Sequence, residues 1–249
     1  MTNMGRLVCG APQADGIAKT ALDQLAKSVD EFMVDLTGFF NGEYPAATIV
    51  RFSPFCARAL LENSCAALVG RLDAFRMLYL SEFQAQPEYD SGKRAKSSFS
   101  WSGDVITEDK VNNLWSIDHE TPKISRALLS KHAEHVFWKP ATEKMLDYAG
   151  GQPADEIINE LLEIEAENYI NAIRGRSLRL YSTLSKGVHW EFFTSALIFD
   201  EETVKNLIRD TCILVAQLAL ISHFIPTAYS CLTPEEALNN YRSIRRAIP

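Results

Sequence analysis

The chain has 249 residues, of which 47% are hydrophobic and 23% charged, values that are ordinary for a globular protein with one substantial core. The formal net charge of −7 argues against a protein that binds polyanions through its bulk charge, so any nucleic-acid surface has to be a local patch. The five cysteines are scattered and odd in number, and the N-terminal stretch has no apolar run of signal-peptide length. We therefore predict a cytoplasmic protein in a reducing compartment.

Apolar residues follow helical spacing along most of the chain. One stripe, in steps of three and four, predicts a helix over 54–84 that ends in Phe75, Tyr79 and Phe83. The only strand signal is 47–52, which has no obvious partner strand nearby. Further helices are predicted at about 14–40, 122–138, 154–184, 202–225 and 234–246. The segment 211–225 is strongly apolar, but it is shorter than the roughly 20 residues that span a bilayer, so we interpret it as a buried core helix.

Helix boundaries carry recognisable signals. Ser53-Pro54 and Thr121-Pro122 each have the pattern of an N-cap followed by proline at the first helical position. Thr233 through Glu236 has the pattern of a capping box. Gly150-Gly151 is predicted to end one helix, and Pro153 to begin the next. The polar stretch 86–105 is predicted to be a long loop, which is usually functional or disordered.

These patterns predict an all-α fold. We expect a single domain over 1–249, built as a bundle of about six to eight helices. Its core should lie at about 54–225, with the terminal helices at about 14–40 and 234–246 packed on it. The helices near 54–84, 154–184 and 202–225 are expected to be central.

One polar stretch interrupts the helical pattern, LYSTLSKGVHWEFF at 180–193. Spacing of four residues places Tyr181, Ser185 and His189 on one face of a helix. A histidine beside hydroxyls and cations can carry out acid–base chemistry on a phosphate ester, because imidazole titrates near neutral pH and cations stabilise the developing charge. The alternative is that these side chains only form hydrogen bonds across a helix junction, where Gly187 allows close approach.

A second polar pair, Arg58 and Glu62, lies four residues apart and flanks the apolar stripe of its helix. Such a pair can supply a phosphate-binding guanidinium with a carboxylate to orient it. The alternative is an ion pair on the helix surface, which stabilises an exposed helix by a few tenths of a kcal/mol.

Together, the Arg58-Glu62 helix and the Y-x-x-L-S-x-x-V-H segment resemble the HEPN-like families of small bacterial all-helical proteins. Many members of these families are linked to phage defence, toxin–antitoxin pairs or RNA cleavage. The resemblance implies a HEPN-like core and a homodimer, with catalytic candidates His189, Ser185, Arg58, Glu62 and Tyr181.

The motif departs from the HEPN ribonuclease pattern, which has an arginine four to six residues before the histidine. Ser182, Thr183 and Leu184 occupy those positions here. The sequence resembles the branch in which S-x-x-V-H replaces the Arg-His pair. The missing cation is then expected from another helix, with Arg58 as the candidate.

Basic residues suggest a nucleic-acid surface next to the motif. Arg174, Arg176, Arg179 and Lys186 lead into it or lie within it, although solvated surface is the usual explanation of such runs. His119, His132 and His135 are candidate metal ligands by residue type, but the H-E-x-x-H arrangement of zinc peptidases is absent. We interpret these three as surface histidines and predict no metal and no other cofactor.

Three functions remain open from the sequence. The first is a HEPN-like component of a bacterial defence or toxin–antitoxin system, which binds nucleic acid such as RNA, or a partner protein from the same operon. The second is a metal-independent endoribonuclease or toxin that uses His189 as general acid or base. The third is a non-catalytic helical scaffold or regulator. No membrane association is expected for any of them.

Overall fold

The computed structural model of the chain describes residues 1–11, 16–87, 89, 128–189 and 199–249. Within these ranges the chain is helical and has no strand, which confirms the all-α prediction. The helices are α1 (Asn3–Cys9), α2 (Ile17–Phe40), α3 (Ala46–Leu72), α4 (Ala74–Gln84), α5 (Lys131–Ala133), α6 (Lys139–Gly150), α7 (Glu156–Leu162), α8 (Ala166–His189), α9 (Glu201–Ser222) and α10 (Pro234–Ala247). A π-helical turn, Glu134–Trp138, joins α5 to α6.

Helix α3 begins earlier than the sequence predicts. It starts at Ala46, so the strand alternative for 47–52 is wrong, and Ser53-Pro54 lies inside the helix. The hydroxyl of Ser53 donates a hydrogen bond to the carbonyl of Ile49, 2.6 Å away. Proline inside a helix removes one backbone hydrogen bond; here tertiary packing outweighs that loss, because Ser53 and Pro54 are both buried.

The predicted helix over 54–84 is broken in two. α3 ends at Leu72, and Asp73 leaves the helical conformation (φ −146°, ψ 86°) before α4 begins. The apolar stripe therefore divides: its first part faces the core, whereas Phe75 on α4 is 73% exposed and Tyr79 is 50% exposed. Periodicity continued through the break because one extended residue hardly changes the spacing of the pattern.

Of the other predicted helix boundaries, some are confirmed and others are wrong. The capping box is present, since Thr233 and Glu236 bind each other's backbone amides at the start of α10. α6 ends at Gly150, as predicted. The next helix, however, begins at Glu156 and not at Pro153, because the side chain of Asp155 caps it. The predicted helix over 154–184 is likewise interrupted between α7 and α8.

Three predicted features lie partly or wholly outside the described residues. Thr121-Pro122 lies outside the described ranges, and so does most of the stretch 86–105. Of the predicted helix over 122–138, the described part becomes helical at Lys131, where the side chain of Ser130 accepts a hydrogen bond from the amide of Ala133.

α3 lies at the centre of the bundle and packs against α1, α2, α4, α8 and α9. α9 is buried along most of its length, which confirms the prediction of a core helix in this region. No helix in the described ranges is long and apolar enough to cross a membrane. Cys9, Cys56, Cys65 and Cys212 are buried, and Cys231 is partly exposed; all five are free thiols.

The last turn of α3 carries a buried arginine that ties the two chain ends to the core. Arg71 is 1% exposed, and its guanidinium donates to the carbonyls of Tyr229 and Val8 and to the hydroxyl of Ser222. Its Nη2 lies 3.0 Å from Nδ1 of His223. These partners satisfy the donors without a carboxylate, and burial lowers the pKa of Arg71 below its ordinary value.

His223 is held in one tautomer by this network. Its Nδ1 accepts from Arg71 and from the amide of Leu232, so Nε2 carries the proton that is donated to the carbonyl of Leu7, 2.7 Å away. Burial, followed by the positive charge of Arg71, lowers the pKa of His223 well below its ordinary value. The ring is therefore neutral in the folded protein near neutral pH.

Candidate functional site

The two motif segments meet where α3 packs against α8. Gly187 of α8 lies directly against Pro54 of α3: a Cβ atom at Gly187 would lie 2.7 Å from the Cβ of Pro54. A second contact joins Arg58 to Tyr181. The chain advances along α3 from 54 to 58 while the contacted residue on α8 falls from 187 to 181, so the two helices are antiparallel.

Arg58 links the predicted residues of the two helices. Its Nε donates to Oε1 of Glu62 at 3.0 Å, and its Nη2 donates to the hydroxyl of Tyr181 at 2.8 Å. The guanidinium carbon also lies 4.7 Å from the centroid of the Tyr181 ring, a cation–π contact. Burial lowers the pKa of Arg58, but the bonds to Glu62 and Tyr181 outweigh this effect and raise it above the ordinary value.

Ser185 and His189 follow Tyr181 on the same face of α8. Ser185 is half-buried and His189 is exposed. We expected Arg58 or Glu62 to form a hydrogen bond with one of these two residues. Among the described residues of α8, however, Arg58 forms a hydrogen bond with Tyr181 and with no other side chain. The site is therefore a bonded group of Arg58, Glu62 and Tyr181, followed along α8 by two side chains that it does not contact through hydrogen bonds.

Two of the predicted nucleic-acid-binding arginines are paired with other residues of the chain. Arg174 donates to the carbonyl of Leu129 at 2.7 Å and to Glu134 at 3.1 Å. Arg176 forms an ion pair with Asp210 on α9 at 2.8 Å. Both guanidinium groups thus have internal partners, and each stabilises the packing of α8.

Arg179 and Lys186 point elsewhere. Arg179 precedes Tyr181 by two residues and lies about 160° from it around the helix axis. Lys186 follows Tyr181 by five residues and lies about 140° from it. Tyr181 is fixed on the α3 side by Arg58, so Arg179 and Lys186 lie on the other flank of α8. Their role in binding nucleic acid stays a prediction, but they do not share a surface with the bonded group.

Exposed apolar side chains lie on the two helices that form the bonded group, and they were not predicted from the sequence. Phe52 is 47% exposed, Phe55 is 53% exposed, and Leu178 of α8 is 50% exposed. The sequence signal was available: 51, 52, 55, 58 and 62 share one side of a helix at steps of three and four. It was hidden because the helix was predicted to begin at 54. We call this surface, formed by Arg51, Phe52, Phe55, Arg58 and Glu62 of α3 with Leu178, Tyr181, Ser185 and His189 of α8, the α3–α8 face.

The histidines weighed as metal ligands do not form a cluster in the described ranges. His119 lies outside them. His135 is exposed, as expected, but His132 is only 6% exposed, so its interpretation as a surface residue is wrong. Its side chain packs inward because α5 and the π-helical turn place it against the core. No group of three or more potential metal ligands occurs among the described residues.

A cavity of about 240 Å³ lies apart from the α3–α8 face. It is found where α3, α4 and the π-helical turn meet, and its lining is largely apolar, formed by Val69, Leu72, Asp73, Arg76, Leu128, Ala133 and Phe137. Asp73 and Arg76 form an ion pair with each other at 3.0 Å. None of the predicted site residues lines this cavity.

Comparison of the chain with protein-family models, with curated proteins and with solved structures found no match to any of them.

Proposed function

We propose that this protein is a HEPN-like component of a bacterial defence or toxin–antitoxin system, and that it binds a partner protein through the α3–α8 face. The observation that carries the proposal is the half-exposed Phe55 beside the bonded pair of Arg58 and Tyr181. Aromatic residues and arginine are the side chains most enriched where protein interfaces gain their binding energy. Here they occur together, held in place by the packing of two helices.

A protein partner is favoured over a nucleic acid by the charges of the surface. Arg174 and Arg176 have internal partners, and Glu62 neutralises Arg58 on the face itself. The net charge of −7 opposes the approach of a polyanion from long range. The partner expected from the resemblance is a product of the same operon.

A metal-independent endoribonuclease remains the second candidate, and one observation supports it. His189 stays exposed at the end of the same face, so its ring is accessible to a substrate. In this alternative His189 acts as general acid or base, and the 2′-hydroxyl of the RNA is the nucleophile.

Partner binding is tested by co-expression with the products of the genes on either side. Phe55→Glu places a charge in the centre of the face, whereas Phe75→Glu, on α4, changes a phenylalanine away from it that is more exposed still. We expect a neighbouring gene product to co-purify with wild type and with Phe75→Glu, but not with Phe55→Glu. Binding that survives Phe55→Glu, or the absence of any co-purifying product, would contradict the proposal.

The ribonuclease alternative has its own test. Wild type and His189→Ala are expressed, cell growth is followed, and purified protein is incubated with RNA and with DNA in the presence of a chelator. A nuclease of this kind should cleave RNA alone and leave a cyclic or 3′-phosphate end, and His189→Ala should abolish the cleavage. Intact RNA with both proteins would eliminate this candidate.

A further inference from the structure

The cavity between α3, α4 and the π-helical turn has a buried end and an exposed end. Val69, Leu128 and Ala133, which line one part of it, are buried. Asp73 and Arg76, which line another part, are both partly exposed. Among the described residues, the cavity therefore extends from the core towards the surface, and the ion pair of Asp73 with Arg76 lies at its solvent side.

The wall formed by α3 and α4 is held by specific contacts. The amide of Asp73 donates to the carbonyl of Val69 at 2.8 Å, and the amide of Arg76 donates to the carbonyl of Asp73 at 3.2 Å. The two helices also pack closely, since a Cβ atom at Gly70 would lie 2.7 Å from Sδ of Met77. The extended backbone of Asp73 thus sets a fixed corner between α3 and α4.

The opposite wall is fixed as well. The indole nitrogen of Trp138 donates to the carbonyl of Leu128 at 2.8 Å, and the amide of Ala133 donates to the hydroxyl of Ser130 at 3.2 Å. Phe137, the remaining lining residue of this wall, belongs to the π-helical turn. Such turns are rare and are often found at functional sites. Both walls are therefore preformed, as is usual for sites that bind small molecules.

We propose that this cavity binds a small uncharged organic compound, about the size of a benzene ring with a short substituent, that has one hydrogen-bonding group. The size follows from the volume: an apolar cavity of about 150 Å³ can bind benzene, and this one has about 240 Å³. The apolar part follows from the lining, in which the charged residues are Asp73 and Arg76 and the others are apolar.

The ion pair determines the polar part of the ligand. Nε of Arg76 lies 3.0 Å from Oδ2 of Asp73, so the two charges of the described lining cancel. A hydroxyl or amide can accept from the guanidinium or donate to the carboxylate. A charged group would lose its hydration without a net opposite charge to replace it. The residues of this cavity are not part of the α3–α8 face, so the inference goes beyond the proposed partner binding and does not depend on it.

The proposal is tested with three probes of similar size, para-fluorophenol, para-fluorotoluene and para-fluorobenzoate, which are titrated against the protein and followed by fluorine NMR. We expect saturable binding of the phenol and the toluene. The phenol should bind about threefold to tenfold more tightly, because it gains a hydrogen bond at the ion pair. The benzoate should bind most weakly. Arg76→Met should bring the affinities of the phenol and the toluene together.

Two variants fill the cavity from opposite walls. Ala133→Leu and Val69→Phe should each weaken binding of the phenol by about tenfold or more, because the added side-chain atoms occupy the space of the ligand. Val136→Leu is the matched control, since Val136 lies in the π-helical turn but is exposed and does not line the cavity. It should bind the phenol as wild type does. Thermal unfolding of each variant confirms that it is folded.

The location is also measured in wild type, where no substitution affects the fold. The methyl signals of Leu72 and Leu128 should shift in proportion to the bound phenol. Methyl signals that stay unchanged, binding that survives in both filling variants, or the absence of saturable binding would overturn the proposal. Tighter binding of the benzoate than of the phenol would overturn the assignment of an uncharged ligand. Because no partner protein is present, these outcomes are separate from those of the co-purification experiment.

Discussion

The bond between Arg58 and Tyr181 is the part of the site that stability measurements test most directly. Arg58→Met removes the guanidinium but keeps most of the apolar stem, and Tyr181→Phe removes only the hydroxyl. A hydrogen bond with a charged partner contributes about 1.5–3 kcal/mol when buried. The Arg58 side chain is 23% exposed, so water can replace part of the lost bond, and we expect a coupling energy of about 1 kcal/mol between the two substitutions.

The measurement is a double-mutant cycle by urea unfolding, followed by circular dichroism. Arg58→Met with Ser185→Ala serves as the matched cycle, since Ser185 is on the same face and has no hydrogen bond to Arg58 among the described residues. That cycle, and one with His189→Ala, should be additive to within about 0.5 kcal/mol. Equal coupling for Tyr181 and Ser185 would refute the reasoning that one specific bond joins the two helices at this point.

Three further predictions concern the core. Unfolding free energy should fall as pH drops below 6.5, the ordinary pKa of histidine, because the unfolded chain takes up a proton that buried His223 does not; the slope is at most about 1.4 kcal/mol per pH unit and should disappear in His223→Gln. Gly187→Ala should cost about 1–3 kcal/mol in urea unfolding, because its methyl group would overlap Pro54, and an unchanged midpoint would contradict the close contact. Thiol labelling of the native protein should modify Cys231 alone, as it is the one cysteine with partial exposure, and rapid labelling of a second cysteine would contradict the buried placement of the others.

The helices could be predicted from the sequence, but several of their ends could not. The capping box at Thr233 could be predicted because its two partners are three residues apart. The end of α6 at Gly150 could be predicted from the glycine pair. The prediction of a helix start at Ser53-Pro54 was wrong because of a tertiary contact. The proline lies against Gly187, 133 residues further along the chain, and this packing keeps the helix continuous through it. No local signal contains that information.

For the candidate site, the positions of the side chains on α8 could be predicted from the sequence, but their contacts with α3 could not. The spacing of Tyr181, Ser185 and His189 correctly placed them on one face, because four-residue spacing fixes position around a helix axis. Which residues they meet depends on the register of α3 against α8. The sequence allowed Arg58 to be paired with any member of the row, and only the packing of α3 against α8 places Arg58 beside Tyr181.

The three arginines of α3 show how burial sets what a charged side chain contributes to stability. Arg71 is fully buried and its donors are saturated by the fold, so it can act only on stability. Arg58 is partly exposed, and two of its three nitrogens are occupied by Glu62 and Tyr181. Arg51 is exposed and has no partner in the described part of the chain. Because a surface cation without a partner adds little to folding, substitution of Arg51 should leave the free energy of unfolding nearly unchanged in urea unfolding, whereas substitution of Arg71 should lower it.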